Sequence, residues 1–143
     1  MELGKRIAFF VALAAALPLA LAEPLAITTD SEDLQWGPCP PFFSSTCRLA
    51  VLHGDPAKRN ADVFFRLEGG DPFPMHTHTS AERMVLVKGK LRVEYDGHEA
   101  ITLDAGTYAY GPASAPHEGQ CVSEEQCVLF IAFEEPVDAF AVQ

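Results

Sequence analysis

From Cys47 to Phe133 turn signals recur at short intervals: Gly54-Asp55-Pro56, Glu68-Gly69-Gly70-Asp71-Pro72, Lys88-Gly89, Asp96-Gly97, Asp104-Ala105-Gly106 and Gly111-Pro112. Glycine supplies positive φ and proline presets a bend, so each cluster ends the element before it. The segments between them are rich in Val, Phe and Leu and show no sustained i, i+3, i+4, i+7 helical period. They read as strands over Arg48–His53, Ala61–Leu67, Arg83–Val87, Leu91–Tyr95, Glu99–Leu103, Thr107–Tyr110 and Val128–Phe133, with Met75-His76-Thr77-His78 delivered by the Glu68–Pro72 turn. Leu91-Arg92-Val93-Glu94-Tyr95 alternates apolar and charged, and Asp96-Gly97 is a two-residue hairpin signal. The chain is therefore all-β, with about eight strands at the spacing of a sandwich or barrel.

The N-terminus is set apart from this pattern. Lys5 and Arg6 precede the apolar run Ile7 to Leu17, and Ala20-Leu21-Ala22 offers a small-x-small cleavage site before Glu23. That is the layout of a secretory signal peptide over residues 1–22. A retained membrane anchor needs about 20 apolar residues, whereas this run is shorter, broken by Pro18 and followed by Glu23. The expected location is secreted or periplasmic, with no stable membrane anchor after cleavage. Residues 23–143 then form one domain: an irregular arm over 23–47 and a β-barrel over 48–143. Leu34 to Phe43 is too proline-rich for a ladder strand. It holds the only Trp, Trp36, which is expected to fill core as the arm wraps the body.

The net charge of −10 argues against a nucleic-acid or anionic-membrane partner. All four cysteines lie beyond the leader, an even count that in an exported domain points to disulfides. Four cysteines allow three connectivities, and the two local bridges are preferred. Cys39 and Cys47 flank Pro40-Pro41 and a Ser44-Ser45-Thr46 turn, and Cys121 and Cys127 flank Ser123-Glu124-Glu125-Gln126, which reads as a hairpin tip. No Cys-x-x-Cys is present, so neither a zinc ribbon nor a thioredoxin-like site is indicated.

One stretch carries chemistry. His76 and His78 are separated by a single residue, so on a strand both imidazoles project from one face, and Glu82 follows four residues later. The run Gly70, five residues, His76, one residue, His78, three residues, Glu82, six residues, Gly89 resembles the first motif of the cupin superfamily at each of its fixed positions. The second motif is met in part: Gly106, five residues, Pro112 fits its opening, and His117 stands at its histidine. Ser114 departs where a glycine is usual, which predicts a looser or differently shaped turn before His117. Cys121 departs where an asparagine is usual, and it is better read as half of a disulfide than as a ligand. The resemblance runs from about Ala61 to Phe133 and is closest to small single-domain cupins.

It implies a double-sheet jelly roll with a metal bound by His76, His78, Glu82 and His117. Three imidazoles and one carboxylate suit one divalent transition metal, Fe, Mn, Zn, Cu or Ni, and suit Ca or Mg poorly. Phe64, Phe73, Met75, Tyr108, Tyr110 and Phe130 are the candidate pocket walls. Arg66 and Arg83 are candidates to orient an anionic substrate, though outward-facing charge is commoner, and His53 and His98 sit beside turns and read as exposed. The expected function is that of an exported metalloenzyme, oxygenase-like, acting on a small organic or aromatic molecule, with Glu82 doubling as a base. The alternatives are a metal- or small-ligand-binding protein without turnover and a Zn-dependent isomerase or hydrolase. A homodimer is compatible with the apolar tail Ala139-Phe140-Ala141-Val142, which alternatively folds back on the barrel.

Overall fold

A computed structural model of the chain describes residues 23–143, and the signal peptide expected over residues 1–22 lies outside the described residues. These residues contain no helix. They form eleven strands: β1 (Trp36–Pro38), β2 (Arg48–His53), β3 (Ala61–Leu67), β4 (Pro72–Thr77), β5 (Glu82–Lys88), β6 (Lys90–Tyr95), β7 (Ile101–Asp104), β8 (Tyr108–Gly111), β9 (His117–Cys121), β10 (Cys127–Phe133) and β11 (Phe140–Ala141). They make two antiparallel sheets, of order β1-β2-β3-β10-β5-β8 and β11-β4-β9-β6-β7. This is an all-β double-sheet jelly roll.

Side chains alternate across a strand, so parity decides what each sheet shows the core. On the six-stranded sheet Val63, Leu67, Met84, Leu86, Leu129, Ile131 and Phe133 face inward, and on the five-stranded sheet Phe73, Leu91, Val93 and Leu103 meet them. Burying each such side chain contributes about 1.5–3 kcal/mol before the entropy of ordering it is set against the gain. The opposite parity of β2, β3 and β10 carries Ala50, Phe64, Val128 and Phe130, which pack with Leu34, Trp36 and Ile27 of the arm in a second cluster. Trp36 stacks on Phe64 with centroids 6.5 Å apart, and the Arg66 guanidinium lies 4.1 Å above its ring. Phe64 and Phe130 thus anchor the arm and do not line the barrel interior.

Two elements differ from the sequence reading, and a third takes one of its two alternatives. The arm supplies β1 despite its prolines, because β1 is an edge strand whose outer side needs no donor, with Pro38 at its end against Arg48. The segment His117–Cys121 forms β9, between β4 and β6. Its inward positions are a histidine, a glycine and a cysteine, so it lacks the β-branched and aromatic signature of a strand. Gly119 is required there: a Cβ would lie 2.3 Å from the Arg92 carbonyl oxygen and 2.4 Å from Phe73. The tail folds back as β11 on β4, with Phe140 opposite Thr77 and Ala141 opposite His76.

Disulfides join Cys39 to Cys47 and Cys121 to Cys127, leaving no free cysteine among the described residues. The first closes the loop that carries Phe42 and Phe43. The second links the end of β9 in one sheet to the start of β10 in the other. Loops this short contribute about 2–3 kcal/mol each in the chain-entropy picture.

The turn that delivers His117 keeps a glycine-like shape without a glycine. Ser114 sits at φ 61°, in the left-handed region, and its N–H donates to the His78 carbonyl at 2.9 Å. An L side chain is strained in that conformation. Ser114→Gly should therefore raise stability by about 0.5–1 kcal/mol in denaturant unfolding, whereas a drop would show that the serine itself holds the turn.

Candidate metal centre

Both sheets contribute to one cluster. β4 carries His76 and leads directly to His78, β9 opens with His117, and β5 opens with Glu82. Pairing of β4 with β9 sets His76 opposite His117, and pairing of β6 with β9 sets Tyr95 opposite His117. A register shift in β4 between Phe73 and His76 lets both point inward. One ring nitrogen from each of His76, His78 and His117 lies within 4.8 Å of the other two. His76 Nε2 is 3.0 Å from His78 Nε2, and the Glu82 carboxylate completes the group, Oε1 3.4 Å from His78 Nε2 and Oε2 3.5 Å from His117 Nε2.

Hydrogen bonds orient the rings. Each Nδ1 faces a backbone carbonyl: Pro74 at 2.8 Å from His76, Ala115 at 3.0 Å from His117, and Asp138 in contact with His78. Donation from Nδ1–H fixes the tautomer and leaves Nε2 as a bare lone pair aimed at the cluster centre. Burial and the neighbouring imidazoles push His76 down from 6.5 to about 3, burial pushes His117 down to about 4, and burial also lowers His78. All three rings are neutral near pH 7. Two lone pairs facing each other at 3.0 Å repel unless a cation lies between them. Metal–nitrogen bonds of about 2.1 Å bring adjacent donors to about 3.0 Å at right angles and about 3.4 Å at the tetrahedral angle. The three-histidine group can therefore hold a metal ion. Glu82 is 4% exposed, and loss of hydration alone pushes its carboxyl up to about 8.

The cluster forms one wall of a cavity of about 120 Å³. Phe73 lines it, as do Phe43, Phe65, Met84, Val93, Phe133 and Tyr95. The other expected walls lie elsewhere. Tyr108 and Tyr110 are 60% and 54% exposed, because β8 pairs Gly111 with Glu82 and Ala109 with Met84, and those are the inward positions. Met75 has opposite parity to His76 and does not line the cavity, and Phe64 and Phe130 belong to the arm cluster. Neither arginine reaches it: Arg66 covers Trp36, and Arg83 pairs with Glu134 at 2.8 Å near the surface. His53 and His98 are exposed.

Two contributors were not singled out in the sequence. Tyr95 stacks on His117 at 4.9 Å, and its buried hydroxyl has no hydrogen-bond partner. The alternation of Leu91, Val93 and Tyr95 was the available signal. Burial, then the Glu82 charge, raises its phenol and keeps the proton in place. Asp138, in the tail before β11, holds His78 through its carbonyl and the Thr79 N–H through its carboxylate at 2.8 Å. Nothing local marks that residue.

A family model described as ChrR cupin-like domain matches residues 25–136. No curated protein matches the chain by sequence. Among solved structures, a cupin-2 domain protein of Rhodospirillum rubrum superposes with a TM-score of 0.68 at 12% identity, over 85% of this chain and 83% of its own. The DMSP lyase DddQ of Ruegeria pomeroyi gives 0.65 at 16% identity over 76% of this chain. Bacillus subtilis oxalate decarboxylase, a protein with Mn(II) centres, gives 0.60 at 21% identity over 71% of it. This chain spans 61% of the lyase and 29% of the decarboxylase. Identities this low establish likeness of fold.

The buried groups set a pH dependence for protein stripped of divalent ions. His76 and His117, lowered to about 3 and about 4, contribute stability above their unfolded value of 6.5 and lose it as pH falls below that. Glu82, raised to about 8, contributes below 4.5 and loses its contribution as pH rises from 4.5 to 8. The two histidines outweigh the one carboxyl below pH 6.5, so the site's contribution peaks near pH 6.5. The denaturant midpoint of chelator-treated protein should fall from there toward pH 8, and Glu82→Gln should abolish that fall. An identical fall in both proteins would show that Glu82 is not the cause.

Proposed function

The chain belongs to the ChrR cupin-like domain family, and from that membership and the buried cluster we propose that it is an exported metal-dependent cupin enzyme with His76, His78, His117 and Glu82 as the metal ligands. The observation that carries this reading is the convergence of three neutral, carbonyl-oriented imidazoles and a buried carboxylate on the wall of an apolar cavity. The donor set suits Fe, Mn, Zn, Cu or Ni. Two disulfides accord with an oxidising compartment. A chain that folds there meets metals in the affinity order that favours Cu and Zn.

His76, His78, His117 and Glu82 would hold the ion at the wall of the apolar cavity, where a small molecule could reach it. A metal bound there supplies Lewis-acid polarisation of a coordinated ligand and, with Fe, Mn or Cu, redox chemistry of an oxygenase type. Glu82, on the same wall, would be the carboxylate within reach of a proton on a molecule in the cavity. Phe43, Phe65, Phe73 and Phe133 exclude water from the reacting atoms and give a flat organic or aromatic body its contact surface.

Elemental analysis of protein isolated from its native compartment tests the ligand set. The expected result is one divalent transition metal per chain, reduced at least tenfold in occupancy by His76→Ala or His117→Ala with the fold retained. Folded wild-type protein without metal would sink the assignment. Oxygen uptake with phenolic and keto-acid substrates then tests the reaction: uptake that depends on His76 supports an oxygenase, and zinc occupancy without uptake moves the chemistry to isomerisation, hydrolysis or binding.

A further inference from the structure

The cavity beside the histidines contains one polar group that no other part of the protein engages. Tyr95 ends β6 with its ring stacked on His117, and its hydroxyl is buried without a partner. That hydroxyl sits against Gly111. A Cβ built on Gly111 would lie 2.5 Å from Tyr95 Oη and 3.2 Å from Glu82 Oε2, so the absent side chain is what lets phenol and carboxylate share one corner of the cavity. Buried hydroxyls nearly always find a hydrogen-bond partner, and an exception at a site calls for a functional account.

The remaining walls restrict what can supply the partner. Apart from the histidines, Glu82 and Tyr95, the lining is almost wholly apolar, and it contains no lysine or arginine. The Asp138 carboxylate, at the rim, already accepts from Thr79 N–H, and each histidine Nδ1 already faces a carbonyl. A second anionic group on a ligand would be buried without a counter-charge, which is strongly unfavourable. The space, about 120 Å³, corresponds to about four waters at the roughly 30 Å³ each takes in the liquid, and is close to the roughly 150 Å³ of a cavity that takes benzene. That is the scale of one ring with one substituent.

We infer that the Tyr95 hydroxyl donates the hydrogen bond that selects the ligand of this site, a small and largely apolar molecule, monocyclic in size, with one oxygen head group carrying at most one negative charge. The inference rests on the metal reading above, which places that head group beside the histidines. Tyr95 is then a specificity-determining residue, and Gly111 is the position that gives its hydroxyl room.

Calorimetric titration of zinc-loaded full-length protein separates the two readings, because zinc binding is measured first. Benzoate and terephthalate are suitable probes, sharing a ring and differing by a second carboxylate. Wild-type protein should bind benzoate at least tenfold more tightly than terephthalate. Tyr95→Phe keeps the ring on His117 and should weaken benzoate about tenfold, the effect of one hydrogen bond, with zinc affinity unchanged and the melting temperature equal or higher. Gly111→Ala, which displaces the hydroxyl, should weaken benzoate as well. Unchanged benzoate affinity in zinc-loaded Tyr95→Phe, equal binding of the two probes, or no benzoate binding to zinc-loaded wild type would overturn the inference while leaving the metal site standing. A lower melting temperature in Tyr95→Phe would overturn it too, by showing that the hydroxyl serves the fold. Failure of wild-type protein to bind zinc or any other divalent transition metal would overturn both.

Discussion

His76, His78 and His117 each turn Nδ1 toward a backbone carbonyl, and from that arrangement the rest of the site follows. With Nδ1 engaged, each ring offers its lone pair at Nε2, toward the other two and toward Glu82. In water such a grouping would gain nothing. Inside an apolar barrel burial keeps the imidazoles uncharged near neutral pH and the carboxyl neutral up to about pH 8, so the cluster carries no positive charge of its own to repel a cation. The backbone sets the geometry: the Pro74 and Ala115 carbonyls belong to the approaches to His76 and His117 themselves, and Asp138 comes from the tail that folds back over the barrel.

The two sheets matter because they place these groups from opposite sides. His76 and His117 come from the five-stranded sheet, His78 from the residue just after β4, and Glu82 from the six-stranded sheet. How the sheets pack therefore sets how far the carboxylate stands from the nitrogen donors, 3.4 Å from His78 and 3.5 Å from His117. The Cys121–Cys127 bridge ties β9, which carries His117, to β10, which neighbours β5 with Glu82. The covalent link thus joins the two sheets at the end of these strands away from the ligands, since Glu82 pairs with Phe133 and His117 opens β9. At the other end the Cys39–Cys47 loop brings Phe43 edge-on to His76 at 4.9 Å and closes the apolar side of the cavity.

Much of this was legible in the sequence, for reasons that differ by residue. β2 and β3 were readable to the residue because β-branched and aromatic runs end at Gly54-Asp55-Pro56 and Glu68–Pro72. His76, His78 and Glu82 were readable from their spacing within one stretch, whereas His117 was readable only through the resemblance to the second cupin motif. β9 was not, since its inward positions hold a ligand, a glycine forced by Phe73, and a disulfide cysteine in place of hydrophobic residues. Apart from Phe73, the expected pocket walls failed on parity: Phe64 and Phe65 are neighbours, as are Tyr108 and Ala109, and only the pairing partners decide which faces inward. Tyr95 was visible in the sequence as the last member of an alternating strand, yet its importance comes from what lies across the barrel, which no local pattern encodes.

The central claim is that four side chains, three imidazoles and one carboxylate, hold a divalent transition metal in this barrel. X-ray absorption fine structure at the edge of the metal carried by the native protein tests it most directly. The account predicts imidazole scattering from three histidines, with a light oxygen or nitrogen first shell that changes in Glu82→Gln. Sulfur in the first shell, or scattering from a single imidazole, would contradict it.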